Sequence, residues 1–138
     1  MPRHSQRSLA NLSEAHPALK AVFSEVIKRF DHVVIEGYRG KAEQDAAFHA
    51  GKSKLKFPQS MHNRSPALAV DVCPYPIDWS DVRRFHLFAG YVLATALAMG
   101  VRLRWGGDWD GDFNWRNQSF HDLPHFELLD AGPYAIAV

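Results

Sequence analysis

The chain has 138 residues, 46% hydrophobic and 22% charged, as expected of one globular domain with enough apolar material for a core rather than of a disordered chain. A formal net charge of +1 gives no global drive toward nucleic acid, and no apolar run approaches the roughly 18 residues of a membrane-spanning helix. Cys73 is the only cysteine, which excludes an internal disulfide and a cysteine-rich zinc ribbon.

Residues 1–12 carry positive charge with no apolar stretch behind it. They read as a loose arm rather than a secretory signal, so synthesis in the cytoplasm is expected. From Pro17 to Phe30, the positions Leu19, Val22, Phe23, Val26, Ile27 and Phe30 recur at helical spacing and predict an amphipathic helix, with Pro17 in its first turn. His32 to Glu36 is short and β-branched, a strand, and Gly37-Tyr-Arg-Gly40 ends it. Arg39 thus stands just past a strand terminus, as a functional group or, with equal weight, as a surface arginine beside a carboxylate. A second helix is predicted over 41–50, stopped by Gly51, with Gln44 near its start. Lys52, Lys54 and Lys56 follow in a polar loop; solvated charge is their simplest reading, and weak attraction to an anionic polymer such as a cell wall is the alternative.

Ala67 to Val72 alternates, so Asp71 shares a face with the small residues Ala67 and Ala69, which leaves room above its carboxylate. Cys73, on the same face, reads as a small buried hydrophobe. After the rigid Pro74–Ile77 turn, Ser80 is placed to cap a long helix with an apolar stripe from Phe85 to Leu97, ended by Gly100; His86 within it reads as packed or solvent-facing rather than as a ligand. Residues 101–105 alternate arginine with apolar side chains, as an exposed or edge strand does. Asp108, Asp110 and Asp112 then have the spacing of a calcium loop, although Phe113 stands where the turn glycine belongs and Ser119 where the bidentate glutamate should be. Trp105, Trp109, Phe113 and Trp115 around this loop either wall a substrate groove or close the core. A last strand, His125 to Leu129, turns Phe126 and Leu128 inward and His125 outward with Glu127. One mixed α+β domain over 1–138 is the natural architecture.

Two histidines and an aspartate, His62, Asp71 and His125, can hold zinc and leave one position open for a water whose pKa then falls to about 7. Asp122, three residues before His125, is placed to take the proton of that water, with Glu127 as the second candidate base. Arg39 is the donor available to developing negative charge on a tetrahedral intermediate. There is no H-E-x-x-H helix, the commonest zinc protease signature.

The collinear series Glu36-Gly-Tyr-Arg39, Gln44, Gly51-Lys-Ser-Lys54, Ser60-Met-His62, Ala69-Val-Asp71, Pro74-Tyr-Pro-Ile-Asp-Trp79, Leu103-Arg-Trp-Gly-Gly-Asp-Trp109 and Asp122-Leu-Pro-His125-Phe-Glu-Leu resembles the M15 peptidases over residues 17–129. Within them it is most similar to the phage endolysins of the L-alanyl-D-glutamate peptidase type, relatives of the VanY-type carboxypeptidases. The resemblance implies a small antiparallel sheet flanked by helices, zinc on His62, Asp71 and His125, and Asp122 as base. It also implies that Arg39 binds the substrate carbonyl, with Gln44 and Ser60 lining the site; Trp109 of the aromatic group is carried as a further substrate contact. His62 and Asp71 are nine positions apart, with Ser65-Pro66 in the gap, two more than in many relatives. The expected substrate is the peptidoglycan stem peptide, cut at L-Ala–D-Glu by a monomer that a holin releases to the periplasmic wall. A D-Ala-D-Ala carboxypeptidase and a non-catalytic wall-binding module are the alternatives.

Overall fold

The computed structural model describes residues 2–136, and its elements follow the expected α+β order. Four antiparallel strands, β1 (His32–Glu36), β2 (Ala69–Pro74), β3 (Arg102–Gly106) and β4 (Asp122–Asp130), form one sheet in the order β1-β2-β4-β3. Helices α2 (Pro17–Val26) and α4 (Val82–Ala98) cover one face. Val34, Val70, Val72, Trp105 and Phe126 of the sheet meet Leu19, Phe23, Phe88 and Val92 there in a single core. The opposite face, lined by α3 (Lys41–His49) and by loops, is left for chemistry.

The segment expected to be a loose arm is instead helix α1 (Gln6–Ser13), with Met1 outside the described residues. Ser5 caps it by accepting from Ser8 N, and Leu12 enters the core. The helix binds β1 through polar groups, which is why hydrophobic periodicity misses it. Val34 N donates to Ser8 Oγ at 3.0 Å and Asn11 Nδ2 donates to Val34 O at 2.8 Å. These two side chains satisfy the open hydrogen-bonding edge of β1, which would otherwise be an unpaired template for another strand.

Three boundaries differ from the sequence pattern for local reasons. The predicted first helix stops at Val26; Phe30 N still bonds Val26 O at 2.9 Å, but the turn opens to feed β1 two residues later. Strand β2 begins at Ala69 rather than Ala67, because Ala67 pairs with the α1–α2 junction (Ala67 N to Glu14 O, His16 N to Ala67 O) and Leu68 N bonds Met61 O. The cap of α4 is Asp81, which accepts from Arg84 N at 3.2 Å, while Ser80 donates its hydroxyl to Asp78 instead. Strand β3 lies at the sheet edge, as its alternation predicted.

The most consequential irregularity lies between β3 and β4. Trp105 pairs with Phe126, yet the next residue, Gly106, pairs with Asp122, so residues 123–125 bulge out of the ladder. Pro124, which could not donate to a regular central strand, is accommodated there. Gly106 is required because a Cβ at that position would overlap the carbonyl of Asp122.

Candidate metal centre and active site

On the free face, β2 and β4 set Asp71 directly opposite His125 and Ala69 opposite Glu127. Alternation on β2 and β4 thus delivers a carboxylate and an imidazole as a cross-strand pair. His62 arrives from a one-turn 3-10 helix, Met61–Asn63, in the lengthened loop. That turn is fixed by a capping box: Ser60 Oγ accepts from His62 N at 3.2 Å, and Asn63 Oδ1 accepts from Ser60 N at 3.0 Å. Asn63 also donates to Arg39 O, and Arg39 N donates to His62 O, which ties the turn to the end of β1.

The two imidazoles have their tautomers set by what their outer nitrogens touch. His62 Nδ1 donates to Gly37 O at 2.8 Å, which leaves the lone pair on Nε2. His125 Nε2 donates to Glu127 Oε1 at 2.7 Å, which leaves the lone pair on Nδ1. Those lone pairs face each other and Asp71 Oδ1, with His62 Nε2 at 3.2 Å from each of the other two and His125 Nδ1 at 3.5 Å from Asp71. Tetrahedral coordination with bonds of about 2.0–2.2 Å puts neighbouring donor atoms roughly 3.3–3.6 Å apart. Three converging acceptors at that spacing, all buried, fit a zinc ion in both geometry and donor chemistry.

The titration behaviour follows from the same crowding. Burial alone would raise the Asp71 carboxyl, but the charge of His62 and hydrogen bonds from His125 and His62 hold it well below the usual carboxylate range. Burial would lower His125, yet its bonds to Asp71 and Glu127 push it up to about 9 when no ion is bound, so Nδ1 then carries a proton toward Asp71 that a metal would displace to use the lone pair. Asp122 goes the opposite way to Asp71: burial first, then the neighbouring Asp71 charge, raise it to about 6. Two carboxylates in one site are thus driven apart in pKa, one held charged and the other brought close to neutral pH.

Asp122 Oδ2 stands 3.8 Å from His125 Nδ1 and lines the open cleft. In a regular strand, residues three apart point to opposite faces; the bulge at 123–125 is what turns both toward the site. Glu127, the second candidate base, has both carboxylate oxygens engaged. Its Oε1 is engaged by His125 Nε2, on the far side of the ring from the converging atoms, and its Oε2 by Arg104 Nε and Nη2 at 3.1 and 2.7 Å. It orients His125, and Arg104 holds it in turn.

Arg39 spreads its guanidinium over Glu36 (2.5 Å), Gln44 (3.0 Å) and Asp71 (3.3 Å) beside the cleft, and retains further N–H groups for a substrate oxygen. It is not the surface arginine the sequence left open. Gln44 lies fully buried behind Arg39 rather than lining the cleft, accepting from Arg39 and donating to Ser53 Oγ and Leu55 O. Ser60 borders the cleft with its oxygen spent on the His62 turn. Trp109 donates Nε1 to Phe120 O, and its ring lies 5.3 Å from that of His125. Of the other aromatics, Trp105 joins the core, whereas Phe113 and Trp115 lie away from the site, with Trp115 against His86. Asp108, Asp110 and Asp112 do converge; Gln118 and Asn117 amides donate to Asp110, and Asn117 also donates to Asp112. Cys73 is buried with its thiol pushed up to about 12, mainly by desolvation, and is inert as expected. Arg104 and Phe120 were not singled out as site residues from sequence. The same-face spacing of Arg104 opposite Glu127 was available only once the strand register was known.

Hydrolysis is the chemistry such an arrangement can perform, and comparison with known proteins places it in a family. Residues 2–129 match the phage L-alanyl-D-glutamate peptidase family. The chain belongs to that family and is an endopeptidase of that type. It is 28% identical to the peptidoglycan L-alanyl-D-glutamate endopeptidase CwlK of Bacillus subtilis, over 91% of this chain and 82% of that protein. Its fold resembles the crystal structure of the Serratia marcescens L-Ala D-Glu endopeptidase ChiX, with a TM-score of 0.73 and 28% identity over 93% of this chain and 91% of the other. Among the readings left open by sequence, these matches favour the L-alanyl-D-glutamate peptidase over the D-Ala-D-Ala carboxypeptidase and the non-catalytic module. Among the described residues, no helix is long and apolar enough to cross a membrane.

Proposed function

We propose that this chain is a zinc-dependent endolysin that cuts the L-Ala–D-Glu bond of the peptidoglycan stem peptide, with His62, Asp71 and His125 holding the ion and Asp122 as general base. The observation that carries the reading is the convergence of three lone pairs, with both tautomers fixed from behind and a carboxylate of raised pKa alongside. Zinc bound there supplies Lewis acidity toward the scissile carbonyl and its nucleophile. Asp122 accepts a proton from the attacking water on a carboxylate oxygen and returns it to the departing D-Glu nitrogen, restoring its charge. Arg39 donates to the oxygen that becomes negative as the carbonyl carbon turns tetrahedral, and its bond to buried Gln44 holds the donor in position before substrate arrives. Trp109 packs beside His125 and excludes water from that side of the cleft. The acidic loop carries amide donors on Asp110 and Asp112, and the reading assigns catalysis to one ion only. The enzyme acts as a monomer on the periplasmic wall, reached through a holin.

The test is digestion of purified peptidoglycan with zinc-loaded protein, with and without a chelator, followed by mass spectrometry. Expected products are glycan strands whose lactyl side groups carry only L-alanine and free peptides beginning with D-glutamate, both lost with the chelator. Release of free D-alanine alone would replace this reading with the carboxypeptidase; intact stems would reject both.

A further inference from the structure

The cleft beside the metal centre has a volume of about 460 Å3 and a basic lip that the mechanism above does not use. Lys52 and Lys54 line it from one side and Arg104 from the other. Among the described residues neither lysine has a carboxylate partner, and the Lys54 ammonium lies 4.9 Å from the centre of the Phe120 ring. Arg104 spends Nε and Nη2 on Glu127, and among the described residues its Nη1 has no hydrogen-bond partner. The cleft's carboxylates, Asp122 and Glu127, are committed to the centre itself. Two ammonium groups without counter-ions at the mouth of a substrate cleft, with a free guanidinium N–H opposite, call for an anionic substrate group.

The lip is held in place. Buried Gln44 donates to Ser53 Oγ at 3.0 Å and to Leu55 O at 2.6 Å, on either side of Lys54, while accepting from Arg39. Lys52 N and Ser53 N both donate to Ala47 O. One glutamine therefore fixes the lysine loop relative to the arginine that faces the scissile carbonyl. The lip also has a direction. Phe120, under Lys54, lies two residues before Asp122 and lines the same cleft, so the lip stands on the side of the group assigned to protonate the leaving nitrogen.

We propose that Lys52 and Lys54, with Arg104 opposite, form a subsite for a free carboxylate of the leaving peptide, and that this contact sets specificity for stem peptides that keep the carboxylate unmodified. The inference rests on the stem-peptide reading above. D-glutamate continues the stem through its side-chain carboxyl, so its α-carboxylate is free and adjacent to the scissile nitrogen; the third residue offers a second carboxylate farther along. The shared chemistry is a carboxylate on an ammonium pair, and amidation removes its charge while keeping its shape.

Three tripeptides with the same L-Ala–D-Glu bond test it on the zinc-loaded full chain: one with free carboxylates, one amidated at the D-Glu α-carboxyl, and one amidated on the third residue. The wild type is expected to cut the free acid about tenfold faster in kcat/KM than one of the amides, and that amide identifies which carboxylate is bound. In Lys52→Gln/Lys54→Gln the ratio should fall toward one, and in Lys54→Arg it should recover. A wild-type ratio of one against both amides, or a ratio the double substitution does not change, overturns the subsite while leaving the peptidase intact. Failure to cut all three overturns the peptidase reading, and the subsite with it.

Discussion

Glu127 separates two accounts of this centre, because a base and an orienting group fail differently. Its Oε1 lies 2.7 Å from His125 Nε2, and its side chain is 7% exposed, so this charge-assisted bond operates with little water. Such a bond is worth about 1.5–3 kcal/mol, and losing it entirely corresponds to about 10- to 100-fold in zinc affinity. Glu127→Gln keeps an acceptor for His125 but not the charge; with neutral bonds about half as strong, zinc affinity should fall by only about 3- to 10-fold. Glu127→Ala also strands Arg104 and should reach the full loss. Competition of the metal-free protein against a chromophoric chelator measures this directly, and kcat/KM at saturating zinc should recover most of the Glu127→Gln deficit. If Glu127→Gln binds zinc like the wild type yet loses turnover by a hundredfold or more, Glu127 acts on the substrate and its assignment as an orienting residue is wrong.

Asp122→Asn should leave zinc affinity within a few-fold of wild type while lowering kcat by about 10²–10⁴, read by pre-steady-state hydrolysis of a stem peptide. The same variant has a signature in stability. The folded pKa of Asp122, about 6, lies above its ordinary 3.8, so its contribution favours the fold below about pH 4 and is lost as pH rises through 6. Metal-free Asp122→Asn should therefore be more stable than wild type at pH 7, by about 1–3 kcal/mol, and equal to it near pH 4 by urea titration. Wild-type kcat/KM should fall on the acid side with a midpoint at or below about pH 6, since a bound cation pulls the base lower still. Arg39→Lys cannot span Glu36, Gln44 and Asp71 together and should cost about 10²–10³ in kcat with little change in zinc binding. Gly106→Ala should lower both melting temperature and activity, by about 1–3 kcal/mol in stability, because its Cβ displaces the strand that carries Asp122.

How legible the centre is in sequence differs from residue to residue. Asp71 and His125 could be placed on open strand faces by alternation alone, since a side-chain period of two survives in any strand. Glu127 could be put on the face of His125 by the same rule, but which nitrogen it serves depends on the ring's rotation, and that is set by Asp71 across the sheet and Arg104 beyond. Helix α1 was invisible to hydrophobic periodicity because it docks by Ser8 and Asn11 on an open strand edge. Gln44 looked like a lining residue by motif and is a buried strut, because its amide is taken up by Arg39 before its helix, by Ser53 and Leu55 after it, and by Asn63 of the His62 turn.

Residue chemistry and short-range pattern thus determined most element types, the candidate donor set and the resemblance to the family. Two pairings that no local rule predicts were decided by the tertiary structure. The bonds from Asn63 Nδ2 to Arg39 O and from Arg39 N to His62 O dock the His62 turn on the end of β1 and bring His62 to Asp71 and His125 despite the longer loop. The bulge opposite Gly106 turns Asp122 and His125, three residues apart, to one side of the sheet. Periodicity alone would have set Asp122 and His125 on opposite faces; only a neighbouring strand, with a glycine where it comes closest, could bring them together.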